Sequence, residues 1–321
     1  MKSLRLHAPR DLRLHDEPMP KPRQGEALVH IEAVGICGSD LHWFSEAGIG
    51  DARLQKPLVL GHEFAGVIAE GPRRGERVAV DPSISCNACE FCSQGNPNLC
   101  ENLRFAGHGV EDGALQEYLA WPEQCLFPLP DSLSYADGAM LEPLGVAIHT
   151  LDLAHLRTGM SVGIFGAGPV GLLILQLARL SGAGKVFVAE PLPHRLEKAI
   201  SLGAQEWTAK QEVDLAFEVA GENEAVETAI AAVKPGGRVI LVGIPADDRT
   251  SFSAAAARRK ALTIKLVRRM KFTYPRAIQL VESGKVDVRS LVSHTLPLAR
   301  AAEAFDLATQ RQGLKVIIQI S

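Results

Sequence analysis

The chain has 321 residues, 46% of them hydrophobic and 22% charged, with 34 Lys and Arg against 37 Asp and Glu for a formal charge of −3. That composition excludes a disordered polymer, and the near balance of charge gives no electrostatic reason to expect nucleic acid or an anionic membrane as partner. At about 100–200 residues per domain, the length suggests two domains. Met1 to Pro22 alternates apolar and charged side chains with no apolar core, so no signal peptide is expected. Of six cysteines, four fall between Cys86 and Cys100. With no secretory signal, a disulfide framework is not expected, and the thiols are left for metal.

Residues 1–130 read as all-β and loop-rich. Leu4, Leu6, Leu12 and Leu14 alternate on either side of a Pro9–Asp11 turn. Ala27–Val34, Leu58–Leu60, Ala65–Ala69 and Arg77–Val80 are further short strands punctuated by Gly and Pro. Asp81 to Gly109 has little periodicity and many turn residues, so something other than a core must hold it. From about Ser134, apolar strands alternate with helical patterns. The strands are Val162–Phe165, Lys185–Ala189, Asp214–Val219 and Arg238–Val242. The helices between them are Val170–Leu180, Arg195–Leu202 and Ala225–Val233. This is the βαβ pattern of a parallel sheet covered on both faces. Beyond Phe272, Pro275–Ser283 and Ala299–Gln310 read as helices and Lys315–Ile320 as a last strand. One stretch, Thr158 to Ala178, runs 21 residues without a charge and raises the question of a membrane span. Five Gly and one Pro interrupt it, which suits a buried strand, a tight turn and a buried helix better.

Three constellations carry chemistry. The first is Cys86-x2-Cys89-x2-Cys92-x7-Cys100. Four thiolates on one loop can converge tetrahedrally on zinc, and an all-Cys site is closed and therefore structural. A ferredoxin run would end with a shorter spacing and a following Pro. The second is Gly35-Ile36-Cys37-Gly38-Ser39-Asp40-Leu41-His42 together with Gly61-His62-Glu63. One Cys, one His and one carboxylate from separate loops make a mixed-ligand zinc site open to water or substrate. The third is Gly166-x-Gly168-x-x-Gly171, after a strand and before an apolar helix. Its glycines permit a tight turn and close approach of a pyrophosphate to the helix N-terminus. Glu190 ends the next strand, 19 residues after Gly171. A carboxylate there accepts both ribose hydroxyls and repels a 2′-phosphate, so NAD is favoured over NADP.

In this order, these pieces resemble the zinc-dependent medium-chain dehydrogenase/reductase family, and within it the sorbitol (polyol) dehydrogenase branch. The branch-specific pieces are Cys37 to His42, Ile49-Gly50-Asp51, Val59 to Glu63, and Leu141-Glu142-Pro143-Leu144 with Ile148-His149. The resemblance implies an α/β protein with a GroES-like β-barrel catalytic domain (1–137 and 273–321, with the zinc lobe at 81–109). A doubly wound parallel-sheet Rossmann NAD domain would span 138–272. It implies Cys37 and His62 as catalytic-zinc ligands, Glu63 as the third, and Glu142 as a carboxylate reaching the metal directly or through water. Ser39 and His42 match a proton relay that runs through the nicotinamide ribose to solvent. Trp43 takes the place of an aromatic substrate contact, and Arg269 of an Arg that binds substrate hydroxyls. The cofactor contacts would be Gly166, Gly168, Pro169, Val170, Gly171, Glu190, Arg195, Val242 and Gly243. The implied cofactors are one catalytic Zn2+, one structural Zn2+ and NAD. The implied setting is a cytoplasmic homodimer or homotetramer acting on a small-molecule alcohol or polyol, with no nucleic acid or membrane partner.

Two departures from the family stand out: an abbreviated turn at Glu70–Glu76 and a short stretch from Gln205 to Val213. A six-stranded sheet in order 3-2-1-4-5-6 requires the chain to return from an edge strand across three strand spacings, about 14 Å. With the descent of one strand length, the diagonal is about 21–22 Å and consumes six or seven residues at roughly 3.3–3.6 Å each. The third strand is therefore expected to shrink to two or three residues around Glu206–Thr208. No helix should follow it, and Trp207 should fold over the bare face. A run of bases, Arg258, Arg259, Lys260, Lys265, Arg268, Arg269 and Lys271, motivates a second reading as a sugar-acid or sugar-phosphate dehydrogenase. Met270 and Phe272 also depart from the polar or aromatic residues usual in the branch. A catalytically silent binding protein should have lost zinc ligands, and here every candidate ligand is present. A zinc-free quinone-reductase-like member would lack Cys37 and the four-Cys lobe.

Overall fold

A computed structural model describes residues 1–320. The chain divides into two compact units, Met1–Glu142 with Tyr274–Ser321, and Pro143–Thr273. The division falls after Glu142 and after Thr273.

The first unit is built on a seven-stranded mixed sheet. Its central strand, Glu26–Gly35, pairs with Glu63–Ile68, with Tyr118–Pro122 and with the last strand of the chain, Lys315–Gln319. The core includes Val29, Ile31, Phe64, Val80 and Trp121, and also Val34, which a register shift between Ile31 and Ala33 turns inward. A helix, Gly38–Glu46, follows the central strand directly. It went unread in the sequence because its nine residues are crowded with motif residues rather than apolar ones. The segment 81–109 carries only short pieces of structure: a four-residue helix Glu90–Ser93, a three-residue 3-10 turn Pro97–Leu99 and two-residue strands.

The second unit is a six-stranded parallel sheet: β1 (Ser161–Phe165), β2 (Lys185–Ala189), β3 (Gln205–Glu206), β4 (Val213–Glu218), β5 (Val233–Leu241) and β6 (Thr263–Leu266). Its order is 3-2-1-4-5-6. Four helices lie between strands: α1 (Pro169–Leu180), α2 (Pro193–Ser201), α3 (Asn223–Ala232) and the short α4 (Ala254–Arg259). The charge-free stretch at 158–178 is thus divided into strand, turn and helix. No helix among the described residues is long and apolar enough to cross a membrane. β6 was not read from the sequence. A half-exposed edge strand, Thr263–Leu266 lacks the apolar run that marks the buried ones.

β3 is two residues long, and no helix separates it from β4 among the described residues. It starts one residue earlier than the length argument expects, because Gln205 and Glu206 pair with Phe187 and Val188. The Trp207 N–H then donates to the Val188 carbonyl at 2.8 Å. The indole turns onto the sheet, with its ring centroid 5.4 Å from Phe165 and 6.2 Å from Phe187. The aromatic side chain replaces the missing helix as cover for this end of the core. Trp207→Ala should therefore lower unfolding free energy by about 2 kcal/mol, less than for a fully buried aromatic because the ring is half-buried. Urea unfolding measures it, and a change below about 0.5 kcal/mol would mean the ring covers nothing of consequence.

Candidate metal and dinucleotide sites

The first site forms where the central strand of the barrel sheet meets the helix Gly38–Glu46. The Asp40 carboxylate accepts from the Cys37 N–H at 2.9 Å and from the Gly61 N–H at 3.2 Å, so one side chain fixes both loops. Asp40 Oδ1 also lies 3.4 Å from His62 Nδ1. That contact leaves His62 Nε2 as the nitrogen for a metal, with Ser39 Oγ 3.4 Å away. Burial works against the charge on Asp40, but His62 and the two amides hold it below the ordinary carboxylate range. Burial likewise opposes a charged His62, yet Asp40 and the Cys37 sulfur hold its pKa well above the usual value. The ligand atoms of Cys37, His62 and Glu63 all lie within 4.8 Å of one another. A soft thiolate, an imidazole and a carboxylate at that spacing are the donor set of a mixed zinc site.

Glu63 brings a partner that the sequence did not reveal. Lys315, on the last strand, donates to both Glu63 oxygens at 2.8 and 2.6 Å and to the Ile36 carbonyl at 3.0 Å. The two side chains are 4% and 1% exposed. Burial opposes the charge on Lys315, while Glu63 and Cys37 keep its pKa above the ordinary lysine value. Gly35 makes room for the pair, since a Cβ there would overlap a Glu63 oxygen.

Glu142 lies outside the set of atoms that converge within 4.8 Å. It is buried, and burial first, then Glu63, push its carboxyl up to about 7, against the opposing pull of His62 and Lys315. Ser39 and His42 are three residues apart on one helix, so they share a face. His42 Nδ1 stands 3.7 Å from Glu46 Oε1. Trp43 follows His42 on the same helix. It is 1% exposed within the core, and its indole N–H donates to His108 Nδ1 at 3.3 Å. One position on from His42, Trp43 turns to the inward side of the helix. It supports the site from behind, through His108 and through Phe105, whose ring centroid is 5.2 Å from that of His62. Arg269 belongs to the second unit and adopts φ 56.

Cys86, Cys89, Cys92 and Cys100 form the second metal candidate, again with all four sulfurs within 4.8 Å. The Cys89 N–H points at Cys86 Sγ, and the Cys86 N–H at Cys100 Sγ, both at 3.3 Å. Amides of Ala88 and Cys89 bring the Cys86 thiol down to about 6, while burial and the neighbouring sulfurs push Cys92 up to about 12. Four thiols this close cannot all ionise without a cation between them, and the donor set fits zinc. Cys125 stands apart, buried, its thiol directed at the Ser83 carbonyl.

In the second unit the glycine-rich turn links β1 to α1. Gly166 has φ +111, and a Cβ on Gly171 would strike the Gly166 carbonyl, so both positions require glycine. Gly168 caps α1, Pro169 opens it and Val170 follows. Glu190 accepts from the Ala167 N–H at 2.7 Å through one oxygen and from the Leu192 N–H at 3.0 Å through the other. The Arg195 guanidinium approaches Gly168, 3.8 Å from where a Cβ would stand. Val242 and Gly243 follow β5, their N–H groups held by the Glu218 carbonyl at 2.8 and 3.2 Å. The turn, the helix N-terminus and the carboxylate at the end of β2 together fit a dinucleotide.

Residues 23–131 match the model of the alcohol dehydrogenase GroES-like domain, and residues 169–283 that of the zinc-binding dehydrogenase domain. The chain is 35% identical over 341 aligned positions to sorbitol dehydrogenase of Bacillus subtilis, covering 99% of this chain and 97% of the relative. An Escherichia coli oxidoreductase of unknown specificity shares its structure with a TM-score of 0.93 at 31% identity, over 100% of this chain and 99% of that one. A short chain alcohol dehydrogenase from E. coli CFT073, complexed with NADH, gives 0.91 at 29% identity over 100% and 99%. The chain belongs to the zinc-dependent medium-chain dehydrogenases, in the sorbitol dehydrogenase branch.

Two outcomes follow for the metals. Two zinc ions should bind per chain, and brief chelation should leave about one, in the closed site, with activity gone; loss of both with activity retained would defeat the assignment. Lys315→Met should cost about 3–5 kcal/mol in urea unfolding of the chelated protein, because it leaves a buried carboxylate unpaired. Adding Glu63→Gln should return part of that loss. Equal destabilisation in the single and double variants would show that the pair is not coupled.

Proposed function

We propose that this chain is an NAD-dependent zinc dehydrogenase that oxidises polyols or secondary alcohols to ketoses or ketones. The observation that carries the reading is the convergence of Cys37, His62 and Glu63 within 4.8 Å, with the Ser39 hydroxyl beside His62 Nε2. Sorbitol dehydrogenases among the relatives support the substrate class. When bound, zinc acts as a Lewis acid that makes a substrate hydroxyl more acidic, and NAD supplies the hydride acceptor.

The chain's own residues do the rest. Cys37, His62 and Glu63 would hold the metal, and Asp40, beside Nδ1, leaves His62 Nε2 as the donor. Ser39 Oγ, next to that nitrogen, is placed to take the substrate proton. His42, on the same helix face and partly exposed, is placed to release it to solvent. By the family resemblance, Glu142 would reach the metal directly or through water, and Arg269 would be the residue that binds substrate hydroxyls. In the second unit, Gly166, Gly168, Pro169, Val170 and Gly171 receive the diphosphate, with Arg195 beside them. Glu190 receives the adenosine ribose, and Val242 and Gly243 line the end of β5. The family resemblance also implies a cytoplasmic homodimer or homotetramer, whose mass light scattering would measure.

A panel of polyols, sugar acids, sugar phosphates and simple secondary alcohols, followed as NADH or NADPH formed, tests the activity. Polyols with NAD should be turned over best; a clear preference for sugar phosphates would favour the second reading from the basic run. Glu190→Ala should weaken the preference for NAD by about 1–3 kcal/mol, whereas a wild type that prefers NADP would overturn the role of Glu190. Ser39→Ala and His42→Ala should each lower kcat by roughly 10²–10⁴-fold, less at high pH, with zinc content unchanged. Loss of metal from either variant would place these residues among the ligands instead.

A further inference from the structure

The second unit contains a buried carboxylate with no part in the chemistry above. Glu218 ends β4 and is 1% exposed. Burial pushes its carboxyl above the ordinary value, and the backbone amides of Gly221, Ala220, Glu222 and Gly243 pull it back. Oε1 accepts from the Ala220 and Gly221 N–H groups, both at 2.7 Å. Oε2 lies against Gly243, 2.9 Å from where a Cβ would stand. The main-chain carbonyl of the same residue holds the N–H groups of Val242 and Gly243. One residue thus ties the loop after β4 to the loop after β5.

The loop after β4 in turn backs the glycine-rich turn. The Val219 N–H donates to the Phe165 carbonyl at 2.8 Å, and a Cβ on Gly166 would stand 3.0 Å from the Ala220 nitrogen. On the other side of that turn, Glu190 takes the Ala167 N–H. The turn is therefore held between two carboxylates, one exposed enough to meet a ribose and one buried behind it.

We propose that Glu218 is a positioning residue for the nicotinamide dinucleotide: its amide-caged carboxylate sets the loops after β4 and β5 against the turn at Gly166, so that the cofactor surface is formed before the cofactor arrives. A carboxylate suits the task because it only accepts and can serve several N–H groups at once. An amide in its place has one accepting oxygen and turns an NH2 group towards other donors, which loosens the cage. A loosened loop must be ordered during binding, and that cost falls on cofactor affinity.

The inference rests on the NAD reading, and the test separates the two. NADH binding is measured by fluorescence titration of the zinc-loaded full-length chain, alongside thermal unfolding, zinc content and steady-state kinetics. Glu218→Gln should raise the Kd for NADH and the KM for NAD about tenfold. It should leave kcat and the alcohol KM within about twofold, with zinc content unchanged. Glu218→Asp, which keeps the charge but has a shorter reach, should move in the same direction by less and serves where the Gln variant does not fold. A lower melting temperature with unchanged NADH affinity would overturn the proposal, and so would failure of both variants to fold, since either makes the role purely structural. A wild type that binds NADH but oxidises none of the panel, with affinity lost in the Gln variant, would sink the substrate reading and leave this inference standing.

Discussion

The buried pair between Lys315 and Glu63 ties the end of the chain to its metal site. The two residues are 252 positions apart, and they meet because Lys315–Gln319 pairs with the central strand Glu26–Gly35. A carboxylate beside a thiol and a second buried carboxyl would be costly in isolation. The ammonium group makes the arrangement tolerable before any metal binds. Such a pair need not add net stability over an apolar substitute, but removing one partner leaves a charge stranded. The site is therefore complete only when the last strand has docked. Its assembly depends on one of the longest-range contacts in the fold, the kind that forms late because loop closure must come first.

The two units solve buried charge in different ways. In the first, carboxylates meet cations or a titratable ring: Glu63 meets Lys315, and Asp40 meets His62 and two amides. In the second, Glu190 and Glu218 are met by backbone N–H groups alone among the bonds described. The difference follows from what each site receives. A metal centre needs anionic donors whose charge is balanced until the cation arrives. A dinucleotide surface needs a rigid backbone, and a carboxylate that gathers amides supplies that rigidity.

Much of the second unit was legible because period carries it. Buried parallel strands are short apolar runs, and the chain length between them limits what else can fit. The shrunken β3 and the role of Trp207 came from counting residues against strand spacing, since nine residues cannot span the sheet edge and also build a helix. The two candidate metal clusters were legible because Cys and His at loop spacings have few alternative uses. Asp40, Lys315 and Glu218 were not. Each acts through a contact that only the fold creates; in sequence Asp40 is one acid of the Cys37–His42 motif, Lys315 the first residue of the last strand and Glu218 an acid within the strand Asp214–Val219. The helix Leu141–Ala154 was hidden by Pro143 and Gly145, a proline tolerated because it falls in the first turn, where its missing N–H has no intrahelical partner.

The basic run at 258–271 shows how charge counted along a sequence differs from charge available to a ligand. The Lys260 ammonium donates to the Ile230, Ala231 and Val233 carbonyls at 3.3, 2.6 and 2.8 Å, at the C-terminal end of α3. The Lys265 ammonium reaches the Leu153 carbonyl at 3.4 Å, near the end of the helix Leu141–Ala154. Cations there satisfy exposed helix carbonyls and oppose the negative end of the helix dipole. Two of the bases that suggested an anionic substrate are thus engaged in ending helices. The other five, Arg258, Arg259, Arg268, Arg269 and Lys271, lie in the short helix Ala254–Arg259 and in the stretch after β6. The case that the run makes for a phosphorylated or acidic sugar therefore rests on those five bases and not on seven.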